Sequence, residues 1–316
     1  MDSLLQLPLA QPVLDRDALA REGAELFDQL WLEPETRIMV LYKGKTLLDD
    51  GKLRLFKTDE ATAGKYRVYL GRTTKEISDL PKNSAIVLSV LSDNAASAIE
   101  ANPENWKELR RTGAVLDPDH ATIFTQGLAI HNWHETHQFC PACGEITIMR
   151  QGGWSRFCIT ENRDLFPRTD AAVIVSIIDS QGRILLGSQG SWAENRWSVL
   201  AGFVEAAESL EAAVKREMFE ECGLSVVRPR YLGSQAWPYP YSLMLAFTAE
   251  VDSNMSADQI QADGVEIAKL RWFSKEELKQ EAKQIHLPTR ISIARAMIEF
   301  WLGESIVSLT ELESGN

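Results

Sequence analysis

Cysteine is scarce: Cys140, Cys143, Cys158 and Cys222 are the only four in 316 residues. That is too few to staple a secreted fold of this size, so a reducing compartment, the cytoplasm, is expected. Long apolar runs are missing as well. The longest, Ala171 to Ile178 (AAVIVSII), is interrupted by a serine and falls far short of the roughly 18–20 residues needed to span a bilayer, so no membrane partner is expected. The first residues, MDSLLQLPLAQPVLDRD, show neither a basic leading segment nor an apolar core, and the end, ELESGN, carries no lipidation or peroxisomal signal. Basic residues are outnumbered, 33 against 45 acidic, for a formal charge of -12. This disfavours a surface that coats nucleic acid, while leaving room for a local phosphate pocket. The five histidines form no HxxxH or HExxH pair, no Ser-His-Asp arrangement is evident, and no repeat or low-complexity tract is visible. His134 and His137 are expected to pack or face solvent.

What remains is a globular composition, 45% hydrophobic and 25% charged, long enough for about two domains. Short apolar runs at 37–42, 52–56, 66–70 and 85–91, separated by Gly, Lys and Asp clusters, predict strands. From Asn94 to about His137 the apolar spacing lengthens to three or four, predicting two connecting helices. A Cys-Pro-Ala-Cys-Gly knuckle follows at 140–144, in a tract that is too short for a core of its own and needs a metal or a neighbour. From Thr169 the pattern alternates strand, turn, strand, loop and helix, ending in a helix over about 288–301, a mixed α/β pattern. Three parts are expected: a β-rich 1–135 with connecting helices, a small connector 136–168, and an α/β domain 169–316.

The sharpest signal runs from Gly202 to Leu224. Ser209 can cap a helix that Gly223 ends, and Leu210, Val214, Met218 and Cys222 give it an apolar stripe for a sheet, with Cys222 as a core residue. Glu217, Glu220 and Glu221 stand at i, i+3 and i+4, so their carboxylates converge on one face. Such crowding destabilises a helix unless a cation lies between the charges. A hard divalent ion such as Mg2+ or Mn2+ fits, and it would also bind a diphosphate. Spacing alone also allows an ordinary solvated acidic face.

The segment matches every fixed position of the pattern GX5EX7REUXEEXGU, where U is apolar, and so resembles the Nudix box. The resemblance implies an α/β/α sandwich that cleaves a nucleoside diphosphate linked to another group. It also implies that Glu217, Glu220 and Glu221 hold the metal ions, that Arg216 orients the glutamates, and that Glu208 buttresses the loop.

Downstream, Ser234-Gln235-Ala236-Trp237-Pro238-Tyr239-Pro240-Tyr241-Ser242 combines two prolines that stiffen a loop with three aromatic faces suited to clamping a ring. A Pro-rich turn beside an edge strand is the plainer alternative. The segment resembles the SQPWPFPxS signature of NADH pyrophosphatases (NAD+ diphosphatases) within the Nudix superfamily, with Ala236 in place of the first proline and Tyr239 in place of phenylalanine. The likeness extends over about residues 100–300. It implies that residues 235–242 bind substrate, that the Ala201 carbonyl and Glu266 touch metal, and that Phe203 stacks on nicotinamide. It further implies that Phe166 reaches a partner subunit's pocket in a homodimer and that Ala294 touches substrate.

Members of that family often carry a zinc ribbon. Cys140, Cys143 and Cys158 fit it, but Glu161 stands where the fourth cysteine is expected. Zinc on the three cysteines with Glu161, zinc with His137 instead, and a metal-free remnant all remain open. The resemblance therefore implies a Nudix domain at 169–316, a zinc-ribbon-like connector and a β-rich N-terminal domain. The expected activity is hydrolysis of NAD(H) to a nicotinamide mononucleotide and AMP with two or three Mg2+ or Mn2+ ions, extending to NAD-capped RNA. Hydrolysis of ADP-ribose, FAD or a diadenosine polyphosphate is the alternative enzyme, and a nucleotide-binding regulator the alternative non-enzyme.

Overall fold

The computed structural model describes residues 7, 9–61 and 64–314, the last two as backbone only, so the ends searched for leader and tail signals lie partly outside the described residues. Two compact units emerge, one from 9–169 with 237–241, the other from 170–236 and the chain from Ser242 onward. Leu7 belongs to the second.

In the first unit the chain runs through β1 (Leu14–Asp15), α1 (Leu26–Leu32), β2 (Arg37–Leu41), β3 (Thr46–Asp49), β4 (Lys52–Leu53), β5 (Leu55–Phe56), β6 (Tyr66–Thr73) and β7 (Ala85–Val90). It continues through α2 (Asp93–Ile99), β8 (Trp106–Lys107), α3 (Leu109–Thr112), α4 (Pro118–Thr136), β9 (Ile148–Arg150), β10 (Ser155–Cys158) and β11 (Arg163–Leu165). The main sheet has the order β1-β6-β7-β2-β5, with β2 parallel to β7 and β6 antiparallel to it. One sheet face sends Ile38, Val40, Tyr69 and Val87 against Leu26 and Leu30 of α1. On α4, Gly127 comes so close to Met39 that a side chain there would press on it, while only touching Leu70. Asp117 starts α4 by accepting from the Asp119 and His120 amides, and Pro118 sits where no amide is needed. β9, β10 and β11 form a separate antiparallel ribbon.

The four runs read as strands are strands, although 52–56 splits into β4 and β5. The first of the two expected connecting helices is a correction. Only α2 and the single turn of α3 are helical, because Glu100 is extended, Asn102 caps a 3-10 turn with Pro103 inside it, and Trp106 pairs with β3.

The second unit contains β12 (Asp170–Ile178), β13 (Ile184–Gln189), β14 (Leu200–Phe203), α5 (Leu210–Cys222), β15 (Val226–Trp237), β16 (Ser242–Val251), β17 (Ile267–Phe273), α6 (Lys275–Glu281), α7 (Ile293–Leu302) and α8 (Leu309–Ser314). Its sheet has the order β15-β16-β12-β13-β17, with β14 also on β12 and β12 parallel to β16. Every second residue of β12 faces a different helix. Val173, Val175 and Ile177 pack with Val214, Met218 and Cys222 of α5, while Ile174 packs with Met297 and Ile298 of α7. The result is the expected α/β/α sandwich. The C-terminal helix begins later than expected because Pro288 and Ser292 precede it and Ser292 accepts the Ala294 amide.

Candidate active site

Ser209 caps α5 by accepting the Ala212 amide at 3.2 Å, and Gly223, with φ 72°, closes it. Val214, Met218 and Cys222 are fully buried, and the Cys222 thiol donates to the Met218 carbonyl at 2.8 Å. With that stripe fixed on the sheet, the orientation of the glutamate face is fixed as well.

Arg216 organises the carboxylates. Its Nε and Nη2 donate to the two oxygens of Glu208, both at 2.8 Å, a bidentate pair. Its Nη1 donates to Glu217 at 2.9 Å and to Glu220 at 2.8 Å, and Nη2 also reaches the Phe203 carbonyl at 3.0 Å. Glu208 in turn accepts the Glu205 amide at 3.0 Å, which ties the loop before α5 to its first turns. The Arg216 contacts, then the Glu205 amide, pull Glu208 down to about 2, and the same contacts raise Arg216.

Gly202 on β14 faces Glu217 directly. A Cβ there would fall 2.0 Å from the Glu217 Cδ, so no other residue leaves that carboxylate in place. Its neighbour Ala201 donates its amide to the carboxylate of Glu221. Phe203 projects an exposed ring.

Glu221 is 4% exposed, and its Oε2 has no hydrogen-bond partner among the described residues. Burial is the main reason its carboxyl is pushed up to about 8; Glu217, Glu266 and Asp263 add negative potential and the Ala201 amide offsets a little. Glu217 is also raised, first by burial, with Arg216 opposing. Asp263 had escaped the sequence reading. Its carboxylate accepts the amides of Val265, Glu266 and Ile267, the last at 2.8 Å, which folds the turn carrying exposed Glu266 and holds Asp263 itself below the usual range. An Asp-Gly pair before a glutamate was the available signal. A buried carboxylate oxygen without a donor, among several carboxylates and one arginine, is a donor set that fits a hard divalent cation.

The other expected ligand-binding residues divide between the units. Gln235 is buried, and its side chain bridges backbone: Nε2 donates to the Ile291 carbonyl and Oε1 accepts the Ile293 amide, both at 2.8 Å. It therefore positions the start of α7, where Ala294 is packed into the core at 5% exposure. Ala236 is exposed within β15, and Ser242 begins β16.

Residues 237–241 pack with the first unit. Asn132 of α4 donates to the Pro238 and Pro240 carbonyls at 2.9 and 3.1 Å. Arg110 lies 4.3 Å over the Tyr239 ring, Trp237 meets Tyr239 edge-on at 5.1 Å, and Tyr241 contacts His137 and Arg168. Asn132 and Arg110 are the supports that sequence reasoning missed. Phe166, in the same unit, is 63% exposed.

In the ribbon, the sulfurs of Cys140, Cys143 and Cys158 lie within 4.8 Å of one another, and no other His, Cys, Asp or Glu among the described residues joins them. Glu161 contributes only its amide, to Cys158 at 3.4 Å, and His137 bonds to Thr136. Neither expected fourth ligand is therefore in the cluster. The amides of Cys143 and Ala142 lower Cys140. For Cys143 the Glu145 amide lowers the thiol, but burial and the two neighbouring thiols win and push it up to about 11. Three sulfurs this crowded, with amides aimed at one of them, fit a soft cation such as zinc.

Three family models match in register: the NADH pyrophosphatase-like rudimentary NUDIX domain at 35–133, the NADH pyrophosphatase zinc ribbon domain at 135–164 and the NUDIX domain at 167–293. The NAD-capped RNA hydrolase NudC of Mycobacterium tuberculosis (strain ATCC 25177 / H37Ra) is 35% identical over 304 residues, 90% of this chain and 94% of its own length. The chain belongs to the NADH pyrophosphatase family of Nudix hydrolases. NudC of Pseudomonas syringae is similar as well, 37% identical over 63% of this chain and 68% of its own. The NAD-capped RNA hydrolase NUDT12 of Macaca fascicularis is 33% identical over 59% of this chain and 43% of its own. No helix among the described residues is long and apolar enough to cross a membrane.

The raised Glu221 carboxyl gives a testable pH dependence in the cation-free protein. Folded Glu221 holds its proton more tightly than the unfolded chain, whose carboxyl titrates near 4.5. Its contribution is therefore complete below about pH 4.5 and is lost as pH rises toward about 8. Thermal unfolding across that interval should show Tm falling in the intact protein and a flatter profile in Glu221→Gln. Identical profiles for the two would contradict it.

Proposed function

We propose that this enzyme hydrolyses the diphosphate of NAD(H) to nicotinamide mononucleotide and AMP, and removes NAD caps from RNA 5′ ends. The observation that carries the reading is the buried, donorless Glu221 oxygen at the centre of a carboxylate group built by Arg216 and Gly202. Glu217, Glu220, Glu221 and Glu266 would hold two or three Mg2+ or Mn2+ ions with the Ala201 carbonyl. Bound there, the ions supply charge neutralisation of the diphosphate and an activated water. The chain's own part is positional. Arg216 keeps Glu217 and Glu220 aimed, and Glu208 keeps Arg216 fixed. The exposed Phe203 ring is the proposed stacking face for nicotinamide. Gln235 and Ala294 act on substrate indirectly in this reading, through the position of α7.

We also propose a homodimer in the cytoplasm. Phe139, Ile146, Ile148, Ile159 and Phe166, all from residues 139–166, are exposed apolar side chains that a second copy would cover. The four free cysteines suit a reducing compartment.

The direct test is product analysis of NADH, ADP-ribose and FAD incubated in parallel with Mg2+, Mn2+ or EDTA. AMP and reduced nicotinamide mononucleotide should form fastest from NADH and only with metal. Glu221→Gln should lower turnover by about 10²–10⁴-fold with the fold retained. Faster cleavage of ADP-ribose or FAD would favour another dinucleotide substrate, and no cleavage of any would favour a nucleotide sensor. For the ribbon, we propose zinc on Cys140, Cys143 and Cys158. Elemental analysis should find one zinc per chain in the intact protein and in Glu161→Gln, and much less in Cys158→Ala. Zinc loss in Glu161→Gln would restore the carboxylate as fourth ligand.

A further inference from the structure

A cleft of about 350 Å3 opens in the first unit, lined by Phe27, Tyr66, Arg67, Arg150, Gly152 and Gly153. Its volume is at the lower end of the roughly 300–1,000 Å3 of small-molecule pockets. In a chain of net charge -12, neither lining arginine has a carboxylate partner among the described residues, unlike Arg72, Arg183, Arg216 and Arg271. Each instead lies over a ring, the Arg67 guanidinium carbon 4.0 Å from the centre of Trp31 and that of Arg150 3.7 Å from that of Phe157. A cation–π contact restrains the guanidinium and leaves its N–H groups available to an anion. Beside the cleft, Arg16 and Arg21 stack on Trp154, and the Nε and Nη2 of Arg21 are buried without acceptors among the described residues.

The floor is rigid. The Tyr66 hydroxyl bonds to His131 at 2.8 Å and Glu135 at 3.2 Å, and the Gly153 carbonyl accepts from His134 at 2.8 Å. These three residues share α4 with Asn132, which holds the 237–241 loop.

We infer that this cleft is a second nucleotide site, its arginine edges taking a phosphate and its aromatic walls a base. A lone phosphate would use the guanidinium forks but leave Phe27 and Tyr66 unused, whereas a nucleotide uses both. The nucleotide is presented either free or as one unit of a single-stranded RNA. The cleft shares no residue with the carboxylate cluster, and the inference stands whether or not NADH is hydrolysed at that cluster.

The test uses the full chain and the double variant Arg67→Ala/Arg150→Ala, in chelator-free buffer without added Mg2+ or Mn2+, so that phosphate is not recruited to the carboxylates and any zinc on the cysteine ribbon is kept, with equal zinc content of the two proteins checked by elemental analysis. AMP is titrated by calorimetry and a 5′-hydroxyl RNA oligonucleotide by fluorescence anisotropy at several salt concentrations. The double variant should lose about tenfold or more in affinity for at least one probe. Loss for RNA, with the slope of log affinity against log salt reduced by about 1–1.5, assigns the site to a strand. Loss for AMP assigns it to the free nucleotide. Unchanged Tm and NADH turnover in the double variant separate this result from a folding defect, and Arg67→Lys/Arg150→Lys should bind with intermediate affinity. Equal binding of both probes by intact and variant protein, or no binding of either by the intact protein, overturns the inference.

Discussion

The second unit depends on the crowding of like charge along α5. Glu217, Glu220 and Glu221 share a helix face, Glu208 and Asp263 add to it, and a single guanidinium, Arg216, reaches three of these five carboxylates. In isolation that arrangement is unfavourable, since one cation cannot balance the set and Glu221 is held out of water. The helix tolerates it because its opposite stripe is buried on β12 and its two ends are closed by Ser209 and Gly223. Packing therefore holds together a charge distribution that protonation of Glu221 eases in the cation-free protein and that a bound cation would relieve.

Much of this was legible in the sequence because it is local. Capping, stripe and glutamate spacing all fall within residues 209–223, and the helix repeat converts spacing directly into a face. The apolar run AAVIVSII likewise read as a strand, and the structure buries it on both faces. Gly202 was legible as a fixed position, but its reason, a Cβ that would collide with Glu217 from a neighbouring strand, is a tertiary contact.

What escaped was long-range or irregular. Asn132 supports Pro238 across 106 residues, and nothing near either position announces the pairing. The apolar spacing of 94–113 looked helical, but Asn102-Pro103 and the pairing of Trp106 with β3 broke it. Gln235 entered as a ligand contact through the resemblance of 234–242 to a family signature, and its two backbone bonds to Ile291 and Ile293, far along the chain, are a tertiary feature that no local pattern announces. At the cysteine cluster, spacing identified three sulfurs correctly but could not reveal that the Glu161 side chain stays outside.

In the proposed site the α5 carboxylates hold a cation in a shape that depends on Gly202 and Arg216. Manganese binding followed by electron paramagnetic resonance in the intact protein and in Gly202→Ala tests it most directly, with circular dichroism confirming the fold of both. Two or more Mn2+ bound by the intact protein, and an affinity at least about tenfold weaker in Gly202→Ala, is the expected result. Equal affinity in the two proteins would contradict it.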